Sequence, residues 1–306
     1  MTKLILVEGI PGAGKTTTAN RIKNELQAQG NKVTLYEEGT SHPADMAWNA
    51  NLTVEELERF IEKCCDLWEK ADTVIDKEND KSDKVQGISK EELVKRIMKQ
   101  VRFEEKHAIL AYTKIDFPEE KYWNLIDEVA SKEMGDGRSS LEDFTQIHLR
   151  RWSNFAKEAV KSNTITIFES SFLQNHIFEL MGVYEKTDDE VVDYIKQLFQ
   201  TVEELNPKII YLQPTSVEDT IKYVAKERTA PTGSGRRDWI EEISEWVQKS
   251  RYGKRRGLCG EVGVVEFCKE RLRLDLLVLS KLEAKIEVID SGKDKKILEI
   301  QANLIT

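Results

Sequence analysis

Residues 4–16 read Leu-Ile-Leu-Val-Glu-Gly-Ile-Pro-Gly-Ala-Gly-Lys-Thr. A short apolar run leads directly into a glycine-rich turn that meets the pattern G-x-x-x-x-G-K-[ST] through Gly9, Gly14, Lys15 and Thr16. This stretch constrains the fold more than any other. The run Leu4–Val7 predicts a buried parallel strand, and the following Thr16–Gln29 predicts a helix, which is the setting such a loop requires. Glycines at 9, 12 and 14 let backbone N–H groups converge on phosphate oxygens with no Cβ in the way. The helix N-terminus adds a favourable dipole for an anion. The expected nucleotide contacts are Gly9, Pro11, Gly12, Ala13, Gly14, Lys15, Thr16 and Thr17. Lys15 is placed to reach the β- and γ-phosphates, and the Thr16 hydroxyl to ligate Mg²⁺.

Four further apolar runs, Val33–Tyr36, Ile165–Phe168, Ile209–Leu212 and Ile286–Ile289, qualify as core strands. All are short, rich in β-branched residues and separated by helical patterns, which predicts a parallel sheet covered by helices. The gap between the second and third runs exceeds a hundred residues. Capping signatures at Thr53/Glu56, Ser89/Glu92 and Ser139/Glu142 precede apolar residues at helical spacing. The expectation is a helical insertion over residues 41–160, packed as a small bundle. The lysine- and aspartate-rich stretch Lys77–Lys84 is read as a solvated loop within it. The core is then residues 1–40 and 161–306.

Ligands in open α/β sheets bind beyond the C-terminal ends of the strands. Glu37 and Glu38 follow the second strand, and Glu169-Ser170-Ser171 follows the third. One carboxylate suits proton acceptance from an acceptor hydroxyl, and the other suits Mg²⁺ or acceptor positioning. Side chains alternate along a strand, so Glu37 and Glu38 do not share one pocket; Glu38, beside Gly39, is favoured slightly. After the fourth strand, residues 226–256 carry nine basic and five acidic side chains. A Gly/Ser/Pro-rich stretch at 231–235 precedes a helix with Trp239, Ile243, Trp246 and Val247 on one face. Such a segment suits a lid, with Arg228, Arg236 and Arg237 offering bidentate contacts to phosphoryl oxygens.

These parts together resemble the P-loop kinases, with the closest likeness to nucleoside and thymidylate kinase-like members. The resemblance spans roughly residues 1–40 and 163–300. It implies a P-loop NTPase fold with a five-stranded parallel sheet in the order 2-3-1-4-5, and ATP with Mg²⁺ as phosphoryl donor. By position it maps the acceptor base or anchor onto Glu38 or Glu37, the acid after strand three onto Glu169, also a metal contact with Thr16, and the lid onto Arg228, Arg236 and Arg237. Ser170 stands where that family usually has an arginine. The insertion occupies the place where such kinases build the acceptor site, with Trp48, Tyr112, Lys114, Arg138, Arg150, Arg151 and Trp152 as candidate contacts. The adenine contact is expected near Ser291–Lys293.

The remaining features narrow the alternatives. The formal net charge is −9, which argues against a general nucleic-acid or anionic-membrane surface. No apolar run approaches a membrane span, and the N-terminus is read as entering the first strand without a secretory leader. Cys64, Cys65, Cys259 and Cys268 show neither disulfide nor metal spacing and are read as reduced thiols of a cytoplasmic protein. His107, His148 and His176 lack ligand spacing, and His42 is of interest only for its place after strand two. Thr113-Lys114-Ile115-Asp116 looks like a guanine-reading motif but lies inside the insertion, so guanine specificity is set aside. The expectation is a kinase acting on a small-molecule hydroxyl. The alternatives are a nucleotide switch whose insertion binds a protein partner, or a nucleic-acid-end kinase. The acceptor and the oligomeric state stay open.

Overall fold

A computed structural model describes residues 2–75, 88–104, 107–117, 120–230 and 237–291. The stretch Lys77–Lys84, Arg236, residues 231–235, and Gly292 and Lys293 of the expected adenine contact lie outside the described residues.

The chain opens with β1 (Leu4–Gly9), α1 (Lys15–Ala28) and β2 (Lys32–Tyr36). Every residue of β1 is buried, including Glu8. Helix α1 turns Thr18, Ala19, Ile22 and Leu26 inward at the spacing of one helix face. It ends at Gly30, whose φ of +85° reverses the chain into β2.

The insertion is not the expected all-helical bundle. It contains β3 (Ala50–Thr53), α2 (Val54–Ile75), α3 (Lys90–Met98), β4 (Val101–Glu104), β5 (His107–Leu110) and α4 (Ile126–Ala130). The three strands form an antiparallel sheet in the order β3-β5-β4. Each strand has four residues, too few for its alternation to stand out beside strong helical periodicity. Val101, which continues the spacing of α3, instead starts β4. Of the three expected capping boxes, Thr53 and Glu56 exchange both hydrogen bonds, Ser89 accepts the Glu92 N–H, and the Ser139 hydroxyl donates to the Met134 carbonyl. Leu52, Leu57, Phe60, Cys64, Leu93, Ile97, Ala108 and Leu110 fill a separate core. Residues 38–42 and 46–140 form this second compact unit; residues 1–37, 43–45 and 141–306 form the first. The segment 141–160, expected within the insertion, therefore belongs to the first unit.

The first unit continues with α5 (Leu141–Lys161), β6 (Thr164–Glu169), α6 (Gln174–Ile177) and a π-helical turn over Phe178–Val183. Then come α7 (Asp188–Gln200), β7 (Lys208–Gln213), α8 (Val217–Glu227), α9 (Trp239–Lys249), α10 (Arg251–Arg256), α11 (Gly260–Lys281) and β8 (Lys285–Asp290). The sheet is five-stranded and parallel, in the order β2-β6-β1-β7-β8. The numbering departs from 2-3-1-4-5 because the insertion adds three strands of its own. The register pairs Val7 with Glu169 and Gly9 with Leu212, so the C-terminal ends of β1, β6 and β7 meet at one edge. No helix among the described residues is long and apolar enough to cross a membrane.

A wholly buried ion pair lies among these elements. Arg271 and Asp275, one turn apart on α11, are 2.5 Å apart, and Tyr211 of β7 donates its hydroxyl to Asp275 at 2.8 Å. Arg271 also donates to the Gln174 carbonyl at 3.1 Å, which ties α11 to α6. Removing one partner leaves a buried charge uncompensated. Asp275→Asn is expected to cost about 3–5 kcal/mol of unfolding free energy. Replacing both residues together by Met and Leu should cost far less, and urea unfolding of the two proteins checks the difference.

Candidate functional site

The turn after β1 is built on close backbone approaches. Gly9 has φ +151°, and a Cβ there would lie 2.7 Å from the Leu212 carbonyl oxygen of β7. Gly12 has φ +82°, and a Cβ would lie 3.0 Å from Val224 Cβ and 3.1 Å from Thr220 on α8. Gly14 precedes α1 and offers no side-chain cap, so the helix presents its first N–H groups to the loop. Lys15 is buried and donates to the Ile10 carbonyl at 3.1 Å, so its ammonium folds back into the loop it belongs to. Thr16 and Thr17 are exposed at the head of the helix.

Two carboxylates of the first unit, Glu169 and Glu37, hydrogen-bond to side chains at the start of α1. Glu169, buried at the end of β6, accepts from the Thr16 hydroxyl at 3.4 Å and from the Ser170 hydroxyl at 2.6 Å. Ser170 has φ +64°, a left-handed conformation that a non-glycine residue rarely takes. Its N–H is held by the Val7 carbonyl at 3.0 Å. The turn thus returns the Ser170 hydroxyl to its neighbour's carboxylate, a positioning role not foreseen for the residue at the arginine position. Glu37 accepts from Asn20 at 2.9 Å, and the same Asn20 amide donates to the Thr16 carbonyl at 3.0 Å, so Glu37 is pinned beside the start of α1. Glu38 belongs to the second unit, where the Trp48 indole donates to it at 3.3 Å.

Glu8 was not among the expected site residues, although a carboxylate inside an apolar strand is a visible signal. It accepts the Phe172 N–H at 2.7 Å and the Gln174 N–H at 3.2 Å, and so orders the segment that follows Glu169. Burial pushes its carboxyl up to about 7, opposed by the Phe172 hydrogen bond and by the positive charges of Arg271 and Lys15.

Helix α9 lies within the expected lid segment. Trp246 packs on Phe178 and Phe267 with ring centroids 5.3 and 5.4 Å away, and Val247 is fully buried. These contacts pack α9, which lies inside the expected lid of 226–256, on the core of the first unit. Arg228 lies 5.7 Å from the centre of the Trp239 ring. Arg237 pairs with Glu245 and approaches Glu241 at 4.0 Å, so the structure holds it against α9. The Ala230 N–H donates to Asp238 at 2.7 Å, bringing the two ends of the intervening segment together.

The other expected contacts scatter. Arg151 and Trp152 lie in the core of the first unit, where Trp152 packs edge-on against Phe168 at 5.5 Å. Arg150 is exposed. In the second unit, Tyr112 and Arg138 both donate to the buried Glu133, whose carboxyl is raised by burial. Trp48 is about half exposed, with φ +57°. Thr113 and Lys114 sit in a short 3-10 turn of the second unit. His148 and His176, separated by 28 positions, come together with Asp45 in the first unit.

The loop, its helix and the acid beside Thr16 form the setting in which a comparison with known proteins is informative. Residues 2–77 match the Zeta toxin family model. The match takes in β1, the loop, α1, β2 and the start of the insertion, about a quarter of the chain. Zeta toxin proteins belong to the P-loop NTPase/kinase superfamily and are kinase-like phosphotransferases, a group that generally uses ATP with Mg²⁺. The match supports that superfamily and not the finer likeness to nucleoside and thymidylate kinases. No curated protein matches the chain.

Two measurements follow. Gly12→Ala adds a Cβ against Thr220 and Val224 in a backbone conformation that disfavours it, and nucleotide affinity is expected to fall by at least about tenfold, read by titration with a fluorescent ATP analogue. Glu8 has a folded pKa of about 7, above the ordinary 4.5. Its stabilising contribution is therefore complete below pH 4.5 and is lost as the pH rises through 7. Denaturant unfolding between pH 5 and 8 should show a decline of up to about 3 kcal/mol that Glu8→Gln lacks.

Proposed function

We propose that this chain is an ATP- and Mg²⁺-dependent phosphotransferase that moves the γ-phosphoryl group to a hydroxyl of a small molecule. The observation that carries the reading is the loop Gly9–Thr17 opening on an uncapped helix, with the Thr16 hydroxyl 3.4 Å from the buried Glu169 carboxylate. Backbone N–H groups of Gly12–Thr16 cradle the phosphates. Lys15 leaves the Ile10 carbonyl and neutralises charge on the transferring group. Contacts to a multiply charged ligand outweigh the hydrogen bond to a neutral carbonyl.

Thr16 and Glu169 are hard oxygen donors of the kind Mg²⁺ takes, directly or through water, and their separation fits a shared role. The ion, when bound, neutralises charge on the β- and γ-phosphates. Glu37 is our choice for the acceptor base or anchor because Asn20 holds it at the head of α1; Glu38 is the other candidate. Arg228, Arg236 and Arg237 supply positive charge over the nucleotide, which requires Arg237 to exchange Glu245 for a phosphoryl oxygen. We assign acceptor selection to the second unit. Catalysis of this type rests on positioning and electrostatics.

The test is ADP release from MgATP against pools of hydroxyl-bearing metabolites. One pool is expected to stimulate release, and Lys15→Ala should abolish it while the far-UV circular dichroism spectrum still shows a folded chain. Of Glu37→Gln and Glu38→Gln, the base variant should lose about 10²–10⁴ in kcat with little change in KM for ATP. Nucleotide binding with no pool giving a phosphorylated product would overturn the proposal in favour of a nucleotide switch.

A further inference from the structure

Asp45, His148 and His176 come from three separate stretches of the first unit and meet in its interior. Asp45 and His148 are each 2% exposed, and His176 is fully buried. One ligand atom from each lies within 4.8 Å of the others, with Asp45 Oδ1 and His148 Nε2 3.8 Å apart. Neither the phosphate loop nor its carboxylates involve these residues. The imidazole rings stand edge to face with centroids 4.6 Å apart.

The hydrogen bonds around the cluster orient all three groups. His148 Nδ1 donates to the Phe144 carbonyl at 2.8 Å, which leaves the Nε2 lone pair facing the cluster. His176 Nδ1 is engaged by the Tyr194 hydroxyl at 3.2 Å, and its Nε2, wholly buried, has no hydrogen-bond partner. Asp45 Oδ2 accepts from the Asn175 amide at 2.8 Å, while Oδ1 is the atom nearer His148. An outer partner on one ring nitrogen and a free lone pair on the other is how metal-ligating histidines are held. A buried imidazole nitrogen without a partner is costly and asks for an explanation.

We propose that Asp45, His148 and His176 bind one first-row divalent transition metal, zinc foremost, as a cross-link between the 43–45 segment, α5 and α6. Two imidazole nitrogens and one carboxylate oxygen suit zinc and not Mg²⁺, which takes oxygen donors. Donors around tetrahedral zinc stand about 3.3 Å apart at ordinary bond lengths. The donors therefore close by up to about 1.5 Å on binding, within reach of side-chain rotations. Burial and the nearby Arg151 charge hold His148 down at about 4, and burial with the His148 neighbour holds His176 well below its ordinary value. A metal takes both imidazoles in their neutral form. Arg151 also opposes a cation, and the Asp45 carboxylate offsets that cost. The fourth position falls to water or a neighbouring oxygen. The site is structural: it fastens α6, which follows the turn after β6, to α5 and to the 43–45 segment.

The experiment uses the full chain, stripped with a chelator and dialysed. Co²⁺ titration should give the visible d–d bands of a tetrahedral complex at one equivalent per chain. Zn²⁺ should displace it and raise the thermal midpoint. His148→Asn and His176→Gln should each weaken binding by more than about 100-fold, beyond what loss of an outer partner does. His107→Ala and Cys259→Ser, at exposed positions, should leave binding unchanged. Absence of a d–d spectrum in the wild-type chain, or equal binding by the cluster variants, would overturn the site and leave a buried His–His–Asp cluster without a metal. Should the cluster variants fail to fold, the wild-type stoichiometry and spectrum decide alone. The outcome is independent of whether any phosphoryl acceptor is found.

Discussion

Glu8 accepts two backbone N–H groups from the segment after β6 while lying wholly inside β1. That single bidentate contact links the strand that feeds the phosphate loop to the turn that carries Glu169. Its charge is balanced from the other side by Arg271 and Lys15. Arg271 in turn holds Asp275 and the Gln174 carbonyl, and Asp275 holds Tyr211 of β7. A chain of buried polar contacts thus runs beneath the loop from β6 through β1 to β7 and α11. Buried hydrogen bonds and charges polarise one another in a low-dielectric interior, so contacts of this kind rigidify the elements they join. The 3.4 Å separation of Thr16 and Glu169 depends on that arrangement rather than on any local property of either residue.

The two layers of the site have different tolerances. The loop itself is set by backbone crowding: Gly9 against Leu212 and Gly12 against α8 leave no room for a side chain. The carboxylates around it are set by side-chain hydrogen bonds that water or a ligand can exchange. Lys15 on the Ile10 carbonyl and Arg237 on Glu245 are both exchangeable contacts of this kind, each holding a cation until an anion competes for it. Ser170 belongs with the first group. Its left-handed backbone stores strain at the place where the chain must turn Glu169 toward the loop, as strained residues at functional sites do.

The strands and helices of the first unit were readable because each is a local pattern. Leu4–Val7, Ile165–Phe168 and Ile209–Leu212 are continuous apolar runs, and α7 begins with a complete capping box at Thr187 and Glu190. The small strands of the second unit were not readable. Ala50–Thr53 and Val101–Glu104 are four residues long, flank strong helix signals and gain their stability from pairing with β5. Helix α5 shows the same limit differently: its periodicity was plain, but only packing could place it in the first unit.

The chain's own order of residues determined the phosphate loop, the parallel sheet around it and the acids at the strand ends, since these follow from side-chain period and glycine placement. Tertiary structure alone decided which partners those side chains take. Asp45, His148 and His176 carry no spacing signal, because a cluster assembled from three elements leaves no periodic trace. Arg237 had the right type for a phosphate contact, yet its neighbours on α9 are carboxylates that claim it first. Glu8 became the centre of a buried network because β6 and α11 bring N–H donors and a guanidinium to it, and that is a fact of packing, not of sequence.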